Sequence, residues 1–221
     1  MIRINKNVEP QILQTNATNW RAELLQHLKD NGGIYSKIPE SIKNRYQHPE
    51  IKSSLVEESY GKCSYCESKL KHISWGEIEH ILPKALSPEN SFVWNNLLLA
   101  CSVCNNAKRS YFSPTEPLIN PVTSDPAAEI VFIGHLIWHS LNSATGQLTI
   151  GQIDLNRTEL IQRRQERLEA LSALIDKWAS LQDKPRLQSL VWNQLVQEAD
   201  PSKEYSAAVK AFIQGRCGQS I

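Results

Sequence analysis

Four cysteines fall in two pairs of identical spacing, Cys63-Ser64-Tyr65-Cys66 and Cys101-Ser102-Val103-Cys104, with 34 residues between the pairs. A Cys-x-x-Cys turn brings two sulfurs close enough to share one ion, and two such turns complete the tetrahedron Zn²⁺ prefers, with no position left open for substrate. The expected role is a structural zinc site of Cys63, Cys66, Cys101 and Cys104. A redox dithiol, a disulfide staple and an iron–sulfur cluster are the competing readings of the same thiols. Cys217 is the odd cysteine. A shared ion would close residues 63 to 104 into one unit, and that unit encloses Glu79-His80 and Asn96, with Asn105 and Lys108 directly after it.

The order and spacing of three short runs carry more. Glu79-His80-Ile81-Leu82-Pro83-Lys84 is followed by Trp94-Asn95-Asn96-Leu97-Leu98-Leu99-Ala100, and then by Cys101 to Cys104 with Asn105-Asn106-Ala107-Lys108. Together they resemble the HNH endonuclease superfamily, whose ββα-metal fold holds a catalytic cation between a hairpin and a helix. The resemblance implies phosphodiester hydrolysis, which needs an activated water and charge neutralisation on the phosphate. It assigns His80 as general base, a role a neutral imidazole with an ordinary pKa near about 6.5 can fill. Glu79 and Asn105 become the ligands of a divalent cation, Mg²⁺ or Mn²⁺, in a weak and open oxygen site. Many superfamily members carry Asp where this chain has Glu79. Asn96 is expected to fix the loop that orients His80, and Lys108 with Arg109 to contact phosphate, against the bland reading of a solvated helix end. Glu77 shares a strand face with Glu79 as a supporting or simply exposed carboxylate. Because residues 79 and 80 point to opposite faces of a regular strand, the strand is expected to end or bend there, helped by Pro83.

Three further features, the Tyr60-to-Glu67 knuckle, the Trp94-to-Lys108 run and Leu155-Asn156-Arg157, are similar to the HNH proteins of Septu-type and retron-associated anti-phage defence systems. That resemblance implies an effector nuclease acting on nucleic acid, DNA first and RNA second, beside an ATPase partner of the ABC/SMC-like kind. The alternative is a non-catalytic, zinc-stapled adaptor that binds nucleic acid or protein on the same scaffold. A cysteine-based redox protein is the third class.

The elements that must position these residues make an α+β chain: a zinc-stapled ββα-metal core embedded in a mostly helical scaffold. Residues 1–60 read as a short strand (Ile2-Arg3-Ile4) and helices, one after Thr18-Asn19 that stops at Asn31-Gly32-Gly33, and one from Pro49 to Tyr60. Residues 61–112 form the core, with a strand over Lys71–His80, a loop through Asn90, and a buried strand or short helix over Phe92–Ala100. Residues 113–221 hold a proline-rich linker or functional loop and then two β-rich runs, Glu129–Trp138 and Gln147–Leu155, around a turn at Asn142–Gly146. Asn156 with Glu159 reads as a capping box for a helix through Trp178, with Leu160, Ile161, Arg164, Leu168, Leu171, Ile175 and Trp178 inward. Helices over Arg186–Glu198 and Ser202–Gln214 finish the chain. His135 and His139 share a strand face without a nearby carboxylate, so a metal role is disfavoured. His27, His48 and His72 are surface residues, His72 a neighbour of the zinc at most. Arg157, Arg163, Arg164 and Arg167 form a basic cluster that neighbouring glutamates turn into a salt-bridged surface.

Composition bounds the rest. The 221 residues carry 24 Lys and Arg against 23 Asp and Glu, so net charge of +1 gives no bulk attraction to nucleic acid or an anionic membrane. No window approaches the roughly 18 apolar residues of a membrane span, and the N-terminus lacks a signal sequence's apolar run. A cytoplasmic location is expected, and oligomeric state is left open. From Gly61 to Phe112 six basic residues face four acidic ones. The subunit alone is therefore expected to bind nucleic acid poorly and with shallow salt dependence.

Overall fold

The computed structural model describes residues 1–70 and 75–221. Helix α1 (Gln11–Asp30) starts at Pro10, whose carbonyl accepts the N–H groups of Leu13 and Gln14 at 2.9 and 3.1 Å. It thus begins well before Thr18 and Asn19, which are exposed inside it. The fixed φ of proline sets the start where a capping side chain was expected. The stop is as read: Gly32 and Gly33 take φ of +65° and +79°. A short α2 (Glu40–Lys43) and a 3₁₀ turn at Arg45–Gln47 lead to α3 (Pro49–Glu58). His48 is the cap of α3, its Nδ1 accepting the Glu50 N–H at 3.3 Å. The expected strand at Ile2–Ile4 is extended chain outside any ladder, tied by the Ile4 N–H to the Pro121 carbonyl at 2.8 Å.

The central unit is a hairpin and a helix. β1 (Glu77–His80) pairs antiparallel with β2 (Leu97–Ala100), Glu77 opposite Ala100 and His80 opposite Leu97, and α4 (Ser102–Lys108) packs on β1. Of the expected strand over 71–80, Glu77–His80 is strand, while Trp75 and Gly76 lie before it. Lys71, His72, Ile73 and Ser74 lie outside the described residues, and with them the reading of His72 as a zinc neighbour. The strand ends at His80, one of the two expected outcomes, and its register is regular up to that residue, with no bend between 79 and 80. All four β2 residues are buried, with α3 across them. Gly76 enters β1 at φ +66°, and a Cβ there would lie 2.8 Å from Leu70 Cδ1, so a side chain would strain the backbone and have to displace Leu70.

After α5 (Pro126–Glu129), the hairpin lies earlier than expected: β3 (Ile130–Ile133) and β4 (Leu136–His139) turn through Gly134-His135. His135 is therefore in the turn and does not share a strand face with His139. The run expected as a second strand, Gln147–Leu155, is instead helix α6 (Ala144–Ile153). Its buried positions Gly146, Thr149 and Ile153 recur at helical spacing, and Ser143 Oγ caps it by accepting the Gly146 N–H at 2.8 Å. Helix α7 (Thr158–Ala179) buries Leu160, Arg164, Leu168, Leu171 and Ile175, while Ile161 and Trp178 are half-buried. Asn156 does not cap it: its side chain instead binds the N–H and carbonyl of Ile137 at 2.9 and 2.7 Å. Helices α8 (Pro185–Glu198) and α9 (Ser206–Cys217) complete the fold. One core runs from Leu13 and Leu55 through Leu97–Ala100 to Leu160 and Ala208. A smaller one, containing Leu171, Leu195 and Ile213, sits between α7, α8 and α9.

Candidate active site

The four paired cysteines converge. Their Sγ atoms all lie within 4.8 Å of one another, and all four residues are buried. Cys66 and Cys101 Sγ are 4.0 Å apart, close to the edge of about 3.8 Å that a tetrahedron with Zn–S bonds of about 2.3 Å requires. The Cys104 N–H points at Cys101 Sγ at 3.4 Å, and the Ser64 N–H binds the Leu99 carbonyl at 2.8 Å, tying the first knuckle to β2. This donor set fits a four-thiolate metal ion. Cys104 and Asn105 are adjacent on α4, so whatever holds the sulfur cluster also fixes the helix that faces β1.

Alternation along β1 sends Glu77 and Glu79 toward α4 and His80 to the other side. Glu77 Oε2 accepts Asn105 Nδ2 at 2.6 Å. Glu79 is buried and pairs with Lys108 Nζ at 2.5 Å, with the Tyr65 hydroxyl donating to the same oxygen at 3.4 Å. Burial pushes the Glu79 carboxyl up from its ordinary range, against the pull of Lys108. Lys108 is itself only 3% exposed and also donates to the His80 carbonyl at 2.9 Å. Its ammonium is thus directed into the hairpin and not toward solvent, where a phosphate contact was expected. Arg109 is exposed at the end of α4, at φ +50°.

His80 is 5% exposed. Its Nε2 lies 3.0 Å from the Ser91 carbonyl, and the Tyr46 ring stands edge-on at a centroid distance of 4.6 Å. Burial lowers its pKa to about 4, so the imidazole is neutral at pH 7. Asn96 braces the loop between the strands: its Oδ1 accepts the Leu82 N–H at 2.7 Å, and its Nδ2 donates to the carbonyls of Leu82 and Asn90 at 3.1 and 2.9 Å. Asn90 immediately precedes Ser91, so the brace sets the carbonyl on which His80 rests.

Glu77 and Asn105 open onto a cleft of about 480 Å³ walled by Tyr46, Gln47, Lys52 and Gly76. An amide and an exposed carboxylate suit a weakly held hard cation that keeps most of its waters. On the other side, Lys108, Tyr65 and Ile81 line a smaller cavity of about 160 Å³ under residues 111–120, so the proline-rich segment begins as a loop against this unit. Tyr46, Gln47 and Lys52 were missed from sequence. Nothing in their types or spacing signals a contact with residues so far along the chain. Arg157 was also missed in this role: both of its terminal nitrogens lie 3.6 Å from Cys104 Sγ.

A two-stranded hairpin and helix, with a histidine on the first strand, an asparagine brace between the strands and a cysteine cluster at the base, defines an HNH endonuclease domain. The HNH endonuclease family pattern matches residues 63–110, the span of this unit, and makes the chain a hydrolase of phosphodiester bonds. Across 209 residues the chain is 31% identical to Septu protein PtuB of Bacillus thuringiensis, covering 88% of this chain and 76% of that protein. It is also 29% identical over 196 residues to Septu protein PtuB of Bacillus mycoides strain KBAB4, covering 74% of this chain and 66% of that protein. The chain belongs to the PtuB family. Among the described residues no helix is long and apolar enough to cross a membrane.

Proposed function

We propose that this chain is the effector nuclease of a Septu-type anti-phage defence system. It cleaves nucleic acid, DNA in the first instance and RNA in the second, in the cytoplasm and together with an ATPase partner of the ABC/SMC-like kind. The observation that carries this reading is the coincidence of the HNH match, residues 63–110, with a hairpin–helix unit in which His80 is neutral and braced. Zn²⁺ in the four cysteines holds the unit together. A divalent cation, Mg²⁺ or Mn²⁺, supplies charge neutralisation at the phosphate when bound.

In this reading His80 takes the proton of the attacking water, Asn96 keeps its loop in place, and Glu79 and Asn105 hold the divalent ion. Cation binding at Glu79 requires Lys108 to give up that carboxylate, and the freed ammonium then serves as the phosphate contact. A second assignment is favoured by one distance: Glu77, and not Glu79, meets Asn105 at 2.6 Å and lines the cleft. Glu77→Gln and Glu79→Gln, titrated with Mn²⁺ by calorimetry, separate the two, because only the ligand's loss weakens the ion.

The test of the function is cleavage of plasmid, single-stranded DNA and transfer RNA by the subunit reconstituted with its partner, with Mg²⁺ present. His80→Ala is expected to abolish cutting while leaving the fold intact. Wild-type cleavage by that variant would remove His80 from the mechanism.

A further inference from the structure

Leu155-Asn156-Arg157 stands out in the sequence, and nuclease chemistry uses none of it. Leu155 is buried in the main core, Asn156 clasps the backbone of Ile137, and Arg157 reaches the sulfur cluster. Its Nη1 and Nη2 each lie 3.6 Å from Cys104 Sγ, a two-nitrogen fork on one sulfur. Seven residues on, Arg164 is 1% exposed, its Nη2 donating to the Leu155 carbonyl at 2.9 Å and to Asn156 Oδ1 at 3.2 Å. Its Nε and Nη1 have no hydrogen-bond partner, and among the described residues it makes no carboxylate ion pair. Glu67, a nearby acid, already meets the Met1 ammonium at 2.8 Å and Lys62 at 3.2 Å.

A guanidinium fork aimed at one sulfur is strongest when that sulfur is charged. Neutral thiols, or two disulfides, supply no such charge. A zinc ion with four thiolates carries two net negative charges, and Arg157 meets that cluster at Cys104 Sγ. We propose that Arg157 is a charge-balancing partner of the zinc tetrathiolate, through two N–H···S hydrogen bonds to Cys104, and that Arg164, bonded to Leu155 and Asn156, positions the turn that carries it. Through Cys104, Arg157 also positions the helix that carries Asn105. Gln152 acts on the same helix, its Nε2 donating to the Ala107 carbonyl at 2.9 Å. Helix α6, through Gln152, and the turn into α7, through Arg157, therefore each hold α4 at one point.

This inference rests on the zinc reading, so the experiment begins by measuring zinc per chain in the purified full-length protein. A chain without zinc overturns both. With zinc present, its transfer to a colorimetric chelator is timed for wild type, Arg157→Gln, Arg157→Lys and Arg163→Gln, an exposed arginine on α7. Loss of a ligand's hydrogen-bond partner lowers metal affinity about 10–100-fold. Arg157→Gln should release zinc faster by that order, Arg157→Lys should fall between it and wild type, and Arg163→Gln should match wild type. In the Co²⁺-substituted protein, the sulfur-to-cobalt charge-transfer band should shift in Arg157→Gln, which a merely structural role for Arg157 would not cause. Wild-type release with an unshifted band overturns the proposal. If Arg157→Gln does not fold, Arg157→Lys carries the test, and wild-type release from it overturns the two-bond assignment.

Discussion

The hairpin–helix unit is gripped at two ends, and the grips are of different kinds. At its base four buried sulfurs and a half-buried arginine that reaches one of them leave little freedom. At the other end, the face proposed for catalysis, the His80 ring is held by one carbonyl and the edge of one aromatic ring, and Tyr46, which supplies that edge, also walls an open cleft of about 480 Å³. If a metal ion staples the cysteines in place, as proposed, the opposite face can be held by contacts weak enough to exchange. Regions of low local stability are where binding and closure take place in general. The difference predicts a descending series of effects, from the base outward.

The largest belongs to the sulfur cluster. Structural zinc contributes apparent binding energies of about 10–16 kcal/mol in small domains, so Cys101→Ser should abolish the cooperative thermal transition of the unit. Calorimetry with and without a chelator measures this. A variant as stable as wild type would place the rigid end elsewhere.

Between the two ends lies the Glu79–Lys108 pair. Removing one partner of a buried ion pair costs about 3–5 kcal/mol, because the other charge is left alone. Lys108→Met should lose that much in urea unfolding, and adding Glu79→Gln should recover most of it. Additive losses would mean that the two groups are not coupled.

His80 gives a somewhat smaller, pH-dependent effect. Its folded pKa of about 4 lies below the unfolded value of about 6.5, so protons bind the unfolded chain more readily. The stability it contributes is complete above about pH 6.5 and is lost as pH falls through about 4, a loss of roughly 3 kcal/mol. Urea midpoints of wild type and His80→Asn between pH 7 and pH 4 should diverge by up to that amount. Parallel curves would show that His80 titrates normally.

What was legible in the sequence follows the same division. The cysteine cluster could be read because its chemistry lies in residue type and spacing alone, and the hairpin because buried Leu97–Ala100 sits between punctuating residues. Gln147–Leu155 misled because Thr149, Ile150 and Ile153 favour strands, while the Ser143 cap and the close approach of Gly146 to the Glu129 carbonyl favour helix. The partners of Glu77 and Glu79 could not be read at all. They depend on the rotation of α4 about its axis, and Cys104, held by a residue of the α6–α7 turn, sets that rotation. Tyr46 reaches His80 only through the packing of an N-terminal turn, for which no local pattern exists.

That turn gives the smallest and most informative prediction. Tyr46 is bound through its hydroxyl by Lys84 and by Gln47 at 3.2 Å, and the Lys84 ammonium also sits 4.3 Å from its ring centroid. An aromatic edge contact contributes about 0.5–1.5 kcal/mol, which corresponds to a factor of about 2–10 in the population of an uncovered state. Tyr46→Ala should therefore raise the rate at which diethylpyrocarbonate modifies His80 by about that factor, and should move the imidazole pKa up toward about 6.5 as burial is relieved. Tyr46→Phe keeps the ring and loses only the hydroxyl contacts, so it should lie nearer wild type. Cleavage by the reconstituted nuclease should rise in the same order if uncovering His80 limits the reaction. Equal modification rates in all three proteins would mean that the Ser91 carbonyl and the Asn96 brace hold His80 by themselves, and the His80 end would then be as rigid as the cysteine end.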